Sequence, residues 1–210
     1  MKIVTVSREF GSGGRELGRR LAEKLGFDYY DQEIIAAIAK NCPFDEGYVE
    51  KTLEEGGWQT MTLNCGCSLD GLVAVQNLQT EIIAEERRVL EGIAARGRDC
   101  VVVGRNADAF LSEEQLLRVF VCATMESRVQ RCMKHLREDE KNITPQKMER
   151  KIRRVDKNRV RTAEFFSESG WGIPENYNIV VNTTGWDIDE LSTVLSEFSK
   201  KWFDKTEKKI

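Results

Sequence analysis

The chain has 210 residues, 40% of them apolar and 32% charged, with a mean hydropathy of −0.45. That is enough chain for one sizeable hydrophobic core without disulfide staples, and the composition points to a soluble globular protein rather than a disordered or membrane one. The formal charge is only −3, yet residues 128–161 hold 13 Lys/Arg against 5 Asp/Glu, an excess of eight that leaves −11 on the rest.

The chain opens with a β-branched strand, Lys2 to Ser7, that runs into the cluster Gly11-Ser12-Gly13-Gly14. Arg15 to Leu25 has Leu17, Leu21, Ala22 and Leu25 at helical spacing, and Gly26 supplies a C-terminal stop. A short strand, Phe27 to Tyr30, and a helix, Gln32 to Ala39, follow. This β–loop–α–β–α order opens a parallel α/β sheet. Asn41 to Asp70 carries Pro43 and several glycines without a long period, which predicts short helical pieces and loops. Leu72 to Ala95 predicts a long amphipathic helix. Cys100 to Val103 and Arg118 to Cys122 are continuous apolar strands. The basic stretch supplies two helices, about Met125 to Glu138 and Pro145 to Phe166. A fifth strand, Asn178 to Asn182, and a closing helix, Ile188 to Phe203, precede a lysine-rich tail expected to fray from Lys205. Five strands alternating with helices imply a three-layer αβα sandwich in one domain, residues 1–210. No apolar run approaches the ~18 residues of a spanning helix, and Met1 to Val6 is too short for a signal peptide. The expected address is cytoplasmic, with no membrane partner.

A lone histidine, His135, excludes a multi-His zinc site, and its charged surroundings predict an exposed position. Cys100 and Cys122 lie in apolar runs and read as small core residues. Cys65-Gly66-Cys67 is a single pair without a partner pair, so its role is left open, as are Cys42 and Cys132.

The densest chemical signal is a buried strand, a glycine-rich turn and a helix start, from Val4 to Glu16. Such a turn aims several backbone N–H groups inward, and the helix start adds about half a positive charge, which together cradle phosphate. The expected phosphate contacts are Ser7, Arg8, Gly11, Ser12, Gly13, Gly14, Arg15 and Glu16. A plain glycine-rich βα turn would read similarly. The basic stretch suits an anionic partner, or a solvated helix pair.

Ser7-Arg8-Glu9-Phe10-Gly11-Ser12-Gly13-Gly14, then Leu21 to Asp31, resembles the opening of the cytidylate kinase-like family of P-loop kinases. Val101-Val102-Val103-Gly104-Arg105-Asn106 is similar to a Val-Val-Asp-Gly-Arg-Asp strand end of bacterial cytidylate kinases. Arg118 to Val121 with Arg128 and Arg131, Asp156 to Arg159, and Asn176 to Thr183 continue the likeness. It covers about residues 1–40 and 98–195. The resemblance implies a five-stranded P-loop kinase sheet, a helical substrate-binding excursion at 41–97 and an arginine-rich lid at 125–166. It implies lid roles for Arg154, Arg159 and Arg161, with Asp156 orienting them, and surface salt bridges are the alternative. It places Asp31 on the substrate side, although Asp31 is equally an N-cap for the next helix. Arg105 leaves a strand into the crevice where open sheets bind ligands and suits an acceptor phosphate, or else a structural ion pair. Asn182 and Thr183 would approach the donor base.

The loop also departs from the Gly-x-x-x-x-Gly-Lys-Ser/Thr pattern. In one register Gly14 stands at the lysine and Arg8 at the first glycine; shifted by one, Arg15 replaces the lysine. Arg15 and Glu16 displace the metal-holding hydroxyl, and Val103 stands where the family has an acid. Arg8 or Arg15 could supply the cation, Ser7 or Ser12 a hydroxyl, and Glu9 or Glu16 a metal ligand, so metal ligands stay unassigned. The reading is a kinase moving the γ-phosphoryl of ATP, with Mg²⁺, to CMP or a similar small acceptor. Its rival is a non-catalytic nucleotide- or anion-binding module. Nucleic-acid binding is not expected, because Trp171 and the other aromatics are not interleaved with the basic residues.

Overall fold

A computed structural model of the chain describes residues 1–41, 82, 84–104, 115–136, 142–166 and 170–207, with isolated positions at 46, 47, 49, 107 and 111. Five strands form one sheet: β1 Ile3–Arg8, β2 Asp28–Tyr30, β3 Cys100–Val103, β4 Leu116–Cys122 and β5 Ile179–Asn182. The helices in chain order are α1 Gly14–Leu25, α2 Gln32–Asn41, α3 at 84–95, α4 Met125–Lys134, α5 Pro145–Phe166 and α6 Ile188–Glu207. The strand order is β2-β3-β1-β4-β5 and every pair is parallel. Ile3 stands opposite both Cys100 and Leu116, and Val119 opposite Ile179.

The continuous apolar runs explain this architecture. Parallel strands joined by helical crossovers are covered on both faces, so they need no polar alternation. Every residue of β1 and β3 is buried. Val4 and Val6 share one cluster with Val101 and Val103, with Leu17 and Leu21 of α1, and with Leu195 and Phe203 of α6. The chain forms two compact units, Met1–Tyr30 with Gly97–Ile210, and Asp31–Arg96. The first contains the whole sheet, its phosphate-loop candidate and the basic helices. In the second, Asn41 Nδ2 donates to Glu85 Oε1 at 2.5 Å.

Several element ends differ from expectation. β1 extends to Arg8, a charged residue only 7% exposed. β4 starts at Leu116 rather than Arg118. α4 stops at Lys134, and the exposed His135 caps it through its N–H to the Cys132 carbonyl. The tail does not fray at Lys205, because α6 continues to Glu207. Lys2 Nζ lies 3.0 Å from Glu207 there, and Lys205 places a cation in the last turn. Most of 41–81, including the predicted loops, the early part of the Leu72–Ala95 helix and Cys42, Cys65 and Cys67, lies outside the described residues, as do Arg105 and Asn106.

Helix α1 approaches the sheet closely. A Cβ on Gly18 would fall 2.5 Å from Val103 Cγ2, and one on Gly14 would fall 2.7 Å from Arg8 Cβ. These two glycines, one turn apart, set the distance between α1 and the carboxyl ends of β1 and β3. Val103 is thereby a core residue facing α1, which accounts for an apolar side chain where an acid was the family expectation. Cys100 is fully buried, and that burial pushes its thiol up to about 12, an inert core group.

Candidate active site

Between β1 and α1 lies a loop, Glu9–Gly13, whose two ends are a buried strand and a helix N-terminus. Gly11 and Gly13 take left-handed backbone, φ 77° and 84°, and Gly13 is the N-cap of α1 with no side-chain cap. Successive left- and right-handed residues turn amides to one side, forming an anion-binding concavity.

The protein holds each carbonyl of this stretch. Arg8 O accepts from Arg159 Nη1 at 2.6 Å, and Phe10 O from Arg128 Nε at 2.8 Å. Gly11 O accepts from Arg131 Nη1 at 2.8 Å, and Ser12 O from Thr183 Oγ1 at 2.6 Å. Glu9 O takes the Ser12 hydroxyl at 2.9 Å, and Gly13 O the Leu17 N–H at 3.0 Å. The amides divide differently. Glu9 N–H goes to Val121 O, Phe10 N–H to Asp156 Oδ1 at 2.8 Å, and Ser12 N–H to Glu9 O. Those of Gly11, Gly13 and Gly14 have no protein acceptor among the described residues. Helix starts leave such donors for a ligand to satisfy.

The basic stretch is thus built into the loop. Arg128 of α4, only 4% exposed, reaches Asp156 Oδ2 of α5, Glu9 Oε1 at 3.3 Å and the Phe10 carbonyl. Asp156 in turn holds the Phe10 amide. Glu9 Oε2 accepts the Ala123 N–H at 3.0 Å, so both its oxygens are engaged in structure. The Phe10 ring carries Arg159 and Lys151 over it, 5.7 and 5.8 Å from its centroid. Cys132 Sγ stands where a Cβ on Gly11 would meet it at 2.7 Å, which keeps position 11 glycine on steric grounds as well.

The remaining sequence-predicted residues fall into three places. Ser7 and Ser12 are buried at the loop, and Arg15 is the second residue of α1. Glu16 is exposed and pairs with Arg20 one turn on. Arg154 and Arg161 are exposed on α5, while Asp156 and Arg159 on the same helix meet the loop. Asn182 is exposed, its Oδ1 taking the Thr184 N–H, whereas Thr183 is fully buried against Ser12. Asp31 is 2% exposed, directly before α2 in the second unit. Trp171 packs edge-on against Phe120 at 5.2 Å. Arg128, Arg131 and Thr183 each grip a loop carbonyl, a contact that no side-chain spacing displays, and Arg128 also meets the carboxylates of Glu9 and Asp156.

For magnesium the residues do not fit the usual pattern. Arg15 occupies the hydroxyl position, Val103 is packed under α1, and Glu9 and Glu16 are committed to protein partners. No group of three His, Cys, Asp or Glu able to hold a metal occurs among the described residues.

A parallel sheet in this order, with a glycine loop between its central strand and first helix, defines the class of P-loop kinase folds. The chain belongs to the cytidylate kinase-like family, whose sequence profile matches residues 3–185. It is 26% identical over 162 residues to the cytidylate kinase of Shouchella clausii, covering 67% of this chain and 71% of that protein. Among solved structures, an uncharacterized protein from Eubacterium ventriosum superposes with a TM-score of 0.69 at 19% identity, covering 95% of this chain and 99% of the other. Shikimate kinase from Bacteroides thetaiotaomicron gives 0.54 at 16% identity, with 95% and 98% covered. Both likenesses are of fold. No described helix is long and apolar enough to cross a membrane.

Proposed function

We propose that the protein is a phosphotransferase that moves the γ-phosphoryl of ATP to CMP or a similar small acceptor. The observation carrying this reading is the hydrogen bonding of the glycine loop. Every carbonyl from Arg8 to Gly13 is held by a protein donor, while the amides of Gly11, Gly13 and Gly14 have no acceptor among the described residues and suit an anion. A fixed set of donors costs no reorganisation when charge develops, and phosphoryl transfer asks mainly for positioning and charge stabilisation.

In this scheme the loop binds the donor phosphates, with Ser12 and Thr183 keeping its shape. Asp156 and Arg159 position it. Arg154 and Arg161, exposed on α5, are the lid cations, and Arg15 stands at the helix start. Arg105 and Asp31 are assigned to the acceptor through the family resemblance. Mg²⁺ would neutralise the triphosphate in solution and be carried in with it.

The second reading, a nucleotide- or anion-binding module without turnover, is favoured by one observation: the motif's lysine position is Gly14 and its hydroxyl position is Arg15. Calorimetric titration of ATP, with and without Mg²⁺, tests the binding step both readings share. Saturable one-site binding is expected, and no detectable heat at millimolar ATP would remove both.

A further inference from the structure

The backbone settles the register of the loop. The left-handed residue next to the helix is Gly13, and Gly14 is the first helical residue. Gly13 therefore matches the second glycine of the Gly-x-x-x-x-Gly-Lys pattern, Gly14 its lysine, and Arg8 its first glycine. Where the pattern has no side chain this chain has a cation, and where the pattern has a cation this chain has no side chain.

The two differences are sterically one. Val4 and Val6 face α1, so Arg8, two residues on, projects to the same side beneath the first turn of α1. A Cβ on Gly14 would fall 2.7 Å from Arg8 Cβ, 3.3 Å from its Cγ and 3.2 Å from Val121 Cβ. A side chain at 14 and the arginine at 8 exclude each other. The arginine then runs toward the end of β3. At Gly104 (φ 72°) a Cβ would overlap Arg8 Nη1 and lie 2.7 Å from Cζ. The guanidinium thus lies at the carboxyl ends of β1 and β3, the edge at which open α/β sheets bind ligands. Its planar fork of donors suits phosphate oxygens.

We infer that Arg8 and Gly14 are a reciprocal exchange: Arg8 supplies from the strand the phosphate-binding cation that the motif supplies from the helix, and Gly14 is empty to admit it. The inference rests on the phosphate-loop part of the proposed function and assigns the cation to Arg8 rather than Arg15. It makes the absent lysine a relocation instead of a loss.

The test measures binding of inorganic tripolyphosphate and of ATP to wild type, R8G, R8K, R15A, G14A, R8G/G14A and R8G/G14K, with thermal unfolding of each. R8G weakens tripolyphosphate binding about 10- to 100-fold, the weight of one charged hydrogen bond. R8K loses less than R8G, and R15A less again. G14A lowers the unfolding temperature in the wild-type background but not in R8G. R8G/G14K regains most of the lost affinity. Unchanged affinity in R8G, or R8G/G14K no tighter than R8G, overturns the exchange. Equal cost of G14A in both backgrounds overturns its steric half even where affinity is poorly measured. Wild type that binds tripolyphosphate but not ATP leaves the exchange standing and removes the nucleotide reading. Wild type that binds neither removes both.

Discussion

Asp156 ties three parts of the site with one carboxylate. Its Oδ1 accepts the Phe10 amide and its Oδ2 meets Arg128, whose Nε holds the Phe10 carbonyl. Removing it leaves a guanidinium that is 4% exposed with Glu9 at 3.3 Å as its remaining charge partner among the described residues. Breaking a buried pair on one side costs about 3–5 kcal/mol, and the Glu9 contact lowers that to about 2–3 kcal/mol. D156A is expected to lower the unfolding temperature by about 4–12 °C for a chain of this size, with faster hydrogen exchange at the Phe10 amide. A shift below about 1 °C would show that the triad carries no such weight. At this scale the contacts in the structure differ from the work the sequence suggests for the same residues. Asp156 and Arg159 are legible as members of a basic helix over phosphate, and the structure shows them grasping the loop backbone. Arg128, Arg131 and Thr183 act on carbonyls, which no spacing of side chains displays.

At the scale of elements, helix α1 and the strands it covers were readable because their apolar periods differ so clearly, 3.6 against a continuous run. Their ends were not, because the ends are fixed by tertiary partners. Arg8 continues β1 beneath α1, and Glu207 extends α6 to reach Lys2. Glycine content in α1 likewise looks like weak helix propensity until the packing is seen. Gly→Ala in an exposed helix interior gains up to about 1 kcal/mol, and Gly92 of α3, exposed with nothing near its Cβ position, should show that gain. Gly18 should do the opposite, since its Cβ would sit 2.5 Å from Val103 Cγ2 and overpacking costs about 1–3 kcal/mol. The pair G92A and G18A is expected to shift the unfolding temperature in opposite directions. Stabilisation by both would mean that α1 is not held against β3 as described.

Across the whole molecule, the uneven charge has a physical role. The excess positive charge of 128–161 lies on α4 and α5, and the buried Arg128 with the half-buried Arg131 and Arg159 holds the backbone of the glycine loop rather than solvating a surface. Its exposed members, Arg154 and Arg161 among them, are the cations that the proposed function assigns to a lid. The acidic counterpart is partly spent on surface pairing, as where Lys24 and Arg20 converge on Asp189 and hold its carboxyl below the usual range. The fold was legible from alternating apolar strands and helices, and the family from short motifs in order. The acceptor was not, because the residues expected to read it, 41–97, carry none of the short motifs, and most of them lie outside the described residues. A turnover assay reads phosphoryl transfer from ATP itself. Purified protein is supplied with ATP and Mg²⁺ and a panel of nucleoside monophosphates and small hydroxyl metabolites, and ADP formation is followed. Acceptor-dependent ADP release, greatest with CMP or a close relative and lost in R8G, is the predicted result. ATP binding with no ADP above background for any acceptor would contradict it and leave the binding-module reading in its place.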